Sequence, residues 1–166
     1  MEGARSVYNT TVDYLGIQNE GNVPSADCVT ALRSALDAAG FPHTLIVIPD
    51  THDFSFLPSL ANQSTQYFKD VGVIGIHEPL RSSMSTPQAA SASGKPIWSS
   101  EAYTTYSDSN GGGCWARALN WGYLFGNVTA HIAWNLIQSY PGYGSGMNCA
   151  LGWRAMAGGK WREQLN

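Results

Sequence analysis

The stretch that decides the fold is Tyr14-Leu15-Gly16-Ile17-Gln18-Asn19-Glu20-Gly21-Asn22. With Val12 ahead of it, the apolar positions Tyr14, Leu15 and Ile17 follow one another almost without a break. A strand with one wet face alternates polar and apolar residues, so this run predicts a strand covered on both faces, as in a parallel sheet. It then ends on Asn19-Glu20. A carboxylate there is either the first solvated residue of a loop or a working group at the mouth of the sheet.

Four more apolar, β-rich segments follow, at residues 44–48, 71–76, 95–98 and 129–136. Helical patterns fill the gaps at 25–39, 56–68, 86–93 and 114–125. The first is the clearest: Pro24-Ser25 opens it, Cys28, Val29, Leu32, Ala35, Leu36 and Ala39 form its apolar positions, and Gly40 stops it. Strand alternating with helix predicts βαβ units. Every strand ends in polar residues: Asn19-Glu20, Asp50-Thr51, His77-Glu78, Ser99-Ser100-Glu101 and Asn135. That pattern is closer to a (β/α)8 barrel than to a dinucleotide-binding sheet, and neither a Gly-x-Gly-x-x-Gly turn nor a phosphate-binding loop ending in Gly-Lys-Ser/Thr is present. A full barrel takes about 250 residues and eight strands. The expected fold is therefore α/β, a partial (β/α)8 TIM barrel over 1–152, with a divergent tail at 153–166. Two glycine-rich loops, 107–113 and 141–148, would lie on the C-terminal face.

Composition excludes several functions. The 166 residues are 43% hydrophobic, enough for one globular core, and the net charge of −3 comes without a Lys/Arg cluster, which argues against nucleic acid. No apolar run reaches the roughly 18 residues of a membrane span. Met1-Glu2-Gly3-Ala4-Arg5-Ser6 lacks the apolar stretch of a signal peptide, so either the protein is cytosolic or the chain is not the whole gene product. Cys28, Cys114 and Cys149 are odd in number and lack Cys-x-x-Cys spacing, which implies neither a closed disulfide set nor a zinc site; Cys28 reads as an apolar helix residue. His43, His52 and His131 are not spaced as metal ligands. Six Trp and eight Tyr fit either core packing or a cleft whose rings stack on sugar C–H faces.

Two carboxylates stand just beyond apolar strands on the predicted C-terminal face, Glu20 and Glu101. Glycoside hydrolysis with retention uses such a pair, about 5–5.5 Å apart, one as proton donor and one as nucleophile. Asn19 directly before Glu20, with Trp98-Ser99-Ser100-Glu101 three strands later, matches the pattern of barrel glycosidases whose carboxylates end the fourth and seventh strands. The segments would then be approximately barrel strands 4 to 8.

Asp13-Tyr14-Leu15-Gly16-Ile17-Gln18-Asn19-Glu20, Val73-Ile74-Gly75-Ile76-His77-Glu78-Pro79, Ile97-Trp98-Ser99-Ser100-Glu101, Gly113-Cys114-Trp115-Ala116-Arg117-Ala118-Leu119-Asn120 and Ile132-Ala133-Trp134-Asn135-Leu136 run in family order. Together they resemble glycoside hydrolase family 59, the β-galactosidases of galactosylceramide. The resemblance implies a retaining mechanism with no metal and no cofactor, and a galactolipid or other β-galactoside as substrate. It also implies a lysosomal or secreted setting in which an activator protein can present the lipid. It assigns Glu20 as proton donor and acceptor, Glu101 as nucleophile, Asn19 as sugar contact, Trp134 as a pocket wall, Thr104 as a small hydroxyl near the nucleophile and Tyr143 as a loop tyrosine. It leaves Cys114 without the partner that the family supplies from beyond the barrel. Gln18 departs from the family, standing where an aromatic usually precedes the Asn-Glu pair.

The proposed roles require Glu20 protonated and Glu101 ionised at the start, a division that two nearby carboxylates favour. His77 either lines the pocket or is a satisfied structural histidine. Asp50 either orients a sugar hydroxyl or starts a turn, Glu78 reads as a loop residue, and Trp115 and Trp121 read as core. Two other functions stay open: an inert or sugar-binding fragment, whose open sheet edges invite self-association, and a barrel β-glycosidase of different sugar specificity, which Gln18 favours.

Overall fold

The computed structural model describes residues 1–62, 65–79, 86–102 and 109–133, with backbone only at 109–111. Among these, five strands form one sheet: β1 (Tyr14–Gly16), β2 (Leu45–Thr51), β3 (Val71–His77), β4 (Ile97–Ala102) and β5 (Val128–Ala133). All four pairings are parallel and the spatial order is β1-β2-β3-β4-β5. A doubly wound sheet reverses direction at a switch point, whereas a barrel adds each new strand beside the last. The order here is that of a barrel segment.

The sheet also curls. Strands three apart in a flat sheet are about 14 Å from each other, yet the rings of Tyr14 on β1 and Trp98 on β4 meet with centroids 4.5 Å apart. These two aromatics sit on the concave side. The convex side carries the apolar core, where Ile46, Ile48, Ile74, Ile76 and Ile97 are fully buried against Val29, Leu36, Leu60 and Tyr67 from the helical layer. Each buried isoleucine contributes roughly 1.5–3 kcal/mol of transfer free energy.

That helical layer comprises α1 (Glu2–Tyr8), α2 (Ala26–Ala38), α3 (Leu57–Leu60), α4 (Gln66–Asp70), α5 (Gln88–Ala92) and α6 (Ser109–Phe125). The ends of α2 follow its sequence signals: the Ser25 hydroxyl accepts from the Cys28 N–H, and Gly40 takes φ 77° beyond the last turn. Asp70, buried at the end of α4, is satisfied by the Thr30 hydroxyl at 2.8 Å and the Gln66 amide at 2.7 Å, which ties α2 to α4. No described helix is long and apolar enough to cross a membrane.

Four local expectations change. β1 is short and Tyr14 is 46% exposed, because β1 pairs only with β2 among the described residues and so lacks cover along its outer side. Cys28 is exposed, since Val29 and Leu36 carry the buried stripe of α2. The loop expected at 107–113 gives way to helix from Ser109, as α6 propagates through Gly111, Gly112 and Gly113 despite the roughly 1 kcal/mol that each glycine costs. Finally, α1 was not expected at all: it buries no residue, and Arg5 holds it by donating to the Gly40 carbonyl and stacking over the Phe41 ring. Cys149, the loop at 141–148 and the tail at 153–166 lie outside the described residues.

Candidate active site

The carboxyl ends of β1 to β4 gather Glu20, Asp50 and Glu101 around the imidazole of His77. His77, the last residue of β3, is 2% exposed. Its Nδ1 lies 3.6 Å from Glu20 Oε1; its Nε2 lies 3.0 Å from Asp50 Oδ1 and 3.8 Å from Glu101 Oε2. The contact with Asp50 has ion-pair distance but not hydrogen-bond direction, so Nε2 has no hydrogen-bond partner. Glu20 and Glu101 thus approach opposite nitrogens of a single buried ring.

Two bulges make this convergence. Pro49 faces Gly75 while Thr51 faces Ile76, so Asp50 is an extra residue on β2; Ile76 faces Ser99 while His77 faces Glu101, so Ser100 is an extra residue on β4. Without the second bulge His77 would face Ser100. The inserted residue moves Glu101 into register with the histidine, the usual work of a bulge beside a functional site. The two bulges also bond to each other, the Ser100 hydroxyl donating to Asp50 Oδ1. Gly75 lies between the flanking strands, where an added Cβ would come 2.8 Å from Val47 Cγ1 and 3.0 Å from Ser100 Cβ.

The backbone here is unusual. Glu20, Asp50 and Glu78, beside the ends of three successive strands, all have left-handed φ, at 57°, 62° and 42°. Such conformations in residues bearing a Cβ cost of order 1–3 kcal/mol each and collect at functional sites. Hydrogen bonds hold two of them: the Glu20 N–H donates to the Asp50 carbonyl and the Glu78 N–H to the Glu101 carbonyl, both at 2.9 Å. Gln18 braces the β1 end, donating from Nε2 to the carbonyls of Glu20, at 2.6 Å, and Asn22.

Burial pushes the Glu101 carboxyl up from 4.5; His77 opposes this, while Asp50, Glu20 and Glu78 add to it through charge repulsion. The carboxylate expected to stay ionised is thus the one that burial raises, with His77 as its compensating partner. Glu20 keeps 48% of its side chain exposed, and Asn19 beside it is exposed. Thr104, Trp134 and Tyr143 lie outside the described residues.

His52 also belongs to this cluster, and nothing in its sequence neighbourhood marks it. Its Nε2 lies 3.3 Å from Glu20 Oε1 and its ring meets that of His77 edge-on, centroids 5.3 Å apart. No local spacing signals this, because His52 and His77 come together only when β2 and β3 pair. Glu20, His52 and His77 place three ligand atoms within 4.8 Å of one another. A cleft of about 1020 Å³ elsewhere, between α2 and the segments around Phe56 and Tyr67, is lined by none of these residues.

Comparison with known proteins gives this geometry a family. Residues 1–150 match the model of glycosyl hydrolase family 59. The chain is 40% identical over 139 residues to galactocerebrosidase of Danio rerio, and 36% identical over 138 residues to that of Homo sapiens. The first alignment covers 83% of this chain and 20% of the fish protein, the second 83% and 19% of the human one, so the chain spans about a fifth of the length of these relatives. Among solved structures, the catalytic domain of the family 30 xylanase C from Talaromyces cellulolyticus superposes with a TM-score of 0.59 at 22% identity, over 78% of this chain and 35% of that one. A family 30 subfamily 8 xylanase from Clostridium acetobutylicum gives 0.57 at 22% identity, over 75% and 34%. These two likenesses concern the fold, a partial (β/α)8 barrel. The chain belongs to glycosyl hydrolase family 59.

Proposed function

We propose that this chain carries the catalytic pair of a retaining β-galactosidase that releases galactose from galactosylceramide-like glycosphingolipids. The observation that carries the reading is the convergence of Glu20 and Glu101 on opposite nitrogens of buried His77. Glu101, set by the β4 bulge, attacks the anomeric carbon, and Glu20 protonates the leaving oxygen. When Glu101 becomes an ester its negative charge is gone, and Glu20, relieved of that neighbour, takes a proton from the incoming water. His77 is the positioning residue between them and offsets the burial that raises Glu101. Asn19 contacts the sugar; Trp134, Thr104 and Tyr143 complete the pocket as the family resemblance assigns them.

The same reading places the work in glycolipid breakdown, in a lysosomal or secreted setting, with an activator protein presenting the lipid. It uses no cofactor. Among the described residues β1 and β5 each have one unpaired side, which would allow self-association. Leaving-group dependence tests the acid: Glu20→Gln should slow β-galactosides with poor leaving groups far more than activated aryl β-galactosides, since the latter depart without a proton. Equal losses on both would remove Glu20 from that role. A second reading, a barrel β-glycosidase of different sugar specificity, is favoured by Gln18, which braces the β1 end with two hydrogen bonds. Hydrolysis of aryl β-glucosides ahead of aryl β-galactosides would select it.

A further inference from the structure

We propose that Glu20, His52 and His77 form a binding site for one divalent transition-metal ion of the Zn2+ class, which would hold the Glu20 carboxylate. Zinc binds histidine nitrogen at about 2.0–2.1 Å and carboxylate oxygen at about 2.0–2.2 Å, so ligand atoms around a tetrahedral ion lie about 3.3–3.5 Å apart. Two of the three separations are already near that, 3.3 Å from His52 Nε2 to Glu20 Oε1 and 3.6 Å from His77 Nδ1 to the same oxygen, and all three ligand atoms lie within 4.8 Å of one another. Two imidazoles and one carboxylate, with Glu20 and His52 exposed, leave a fourth position open to water, the arrangement of a reactive rather than a sealed zinc site.

A second observation points the same way. A histidine that binds metal through one nitrogen almost always has a carboxylate or carbonyl at the other, which fixes the tautomer. His77 turns Nδ1 to Glu20 and its buried Nε2 to Asp50 Oδ1 at 3.0 Å, and Asp50 is itself held by the Ser100 hydroxyl. The carboxylate of a supporting shell is therefore beside Nε2 at ion-pair distance, and a small turn of either group would supply the hydrogen bond that Nε2 lacks. Neutral imidazole suits Zn2+, and a carboxylate oxygen completes a common donor set.

Binding does not depend on the hydrolysis reading, but its consequence does: an ion on Glu20 takes away the proton donor, so Zn2+ would inhibit. The test is calorimetric titration of the whole chain with Zn2+, alongside Co2+ absorption, whose intense visible bands mark tetrahedral coordination. The expected result is one saturable ion per chain, weakened at least about tenfold by His52→Ala and about 10–100-fold by Asp50→Asn. His43→Ala, away from the cluster, should leave binding unchanged. His52 is exposed, so its variant tests the site without endangering the fold. No saturable binding, or binding that His52→Ala does not weaken, overturns the proposal. Saturable, His52-dependent binding without inhibition of aryl β-galactoside hydrolysis would uphold the metal site and count against Glu20 as proton donor.

Discussion

The two sides of the same strands do opposite work. On the convex side, Ile46, Ile48, Ile74, Ile76 and Ile97 are fully buried in an apolar layer, and the buried carboxylate of Asp70 has its hydrogen bonds made. At the carboxyl ends, three residues hold left-handed φ, a buried histidine nitrogen lacks a hydrogen bond, and three acidic side chains crowd one ring. The first region stabilises the fold; the second is stabilised by it. Strain and unmatched charge at the mouth persist because the sheet beneath leaves them no relaxed alternative.

Substitutions on the two sides should act differently, the largest effect coming from the convex side. Ile74→Ala should lower the unfolding free energy by about 2–5 kcal/mol, the cost of a cavity in a packed core; a loss under 1 kcal/mol in urea melts would mean the layer is loosely packed. Gly75→Ala joins the two regions, because the new methyl meets Val47 and the Ser100 bulge. It should cost about 1–3 kcal/mol and, by displacing Ser100, reduce catalysis further than the lost stability explains.

At the mouth the sign should reverse. Glu20→Gly should remove the proposed proton donor yet raise stability by about 0.5–1 kcal/mol, the left-handed cost removed less the extra chain entropy that glycine loses. A destabilised variant would show that the ion contacts of Glu20 support the fold. The smallest effect concerns His131 on β5, whose ring nitrogens are buried without hydrogen bonds against Gly122. Burial holds its pKa below 6.5, so the unfolded chain takes up the proton first. The stability that His131 contributes is therefore present above about pH 6.5 and lost as pH falls through the lowered folded value. His131→Gln should flatten that part of the pH profile, and an unchanged slope would refute the assignment.

Strand order and the placing of Glu20 and Glu101 at strand ends could be read from the chain because each rests on a local signal: an apolar run followed by a polar end. The ends of α2 were legible for the same reason, with Ser25 and Gly40 acting on their own neighbours. The bulges were not, since Asp50 and Ser100 become extra residues only against the register of β3. Nor was the partial exposure of β1, because Tyr14 looks buried until the sheet shows which strand lies at its edge. His52 was hidden for a third reason: its neighbours Glu20 and His77 arrive from two other strands.

Glu101 is the proposed nucleophile, with His77 and the β4 bulge beside it as the groups that position it. Trapping with an activated 2-fluoro-β-galactoside, followed by mass-spectrometric mapping of the labelled peptide, addresses this directly. The expected result is one fluorogalactosyl group per chain, on Glu101. Attachment at any other residue, or no attachment at all, would contradict it.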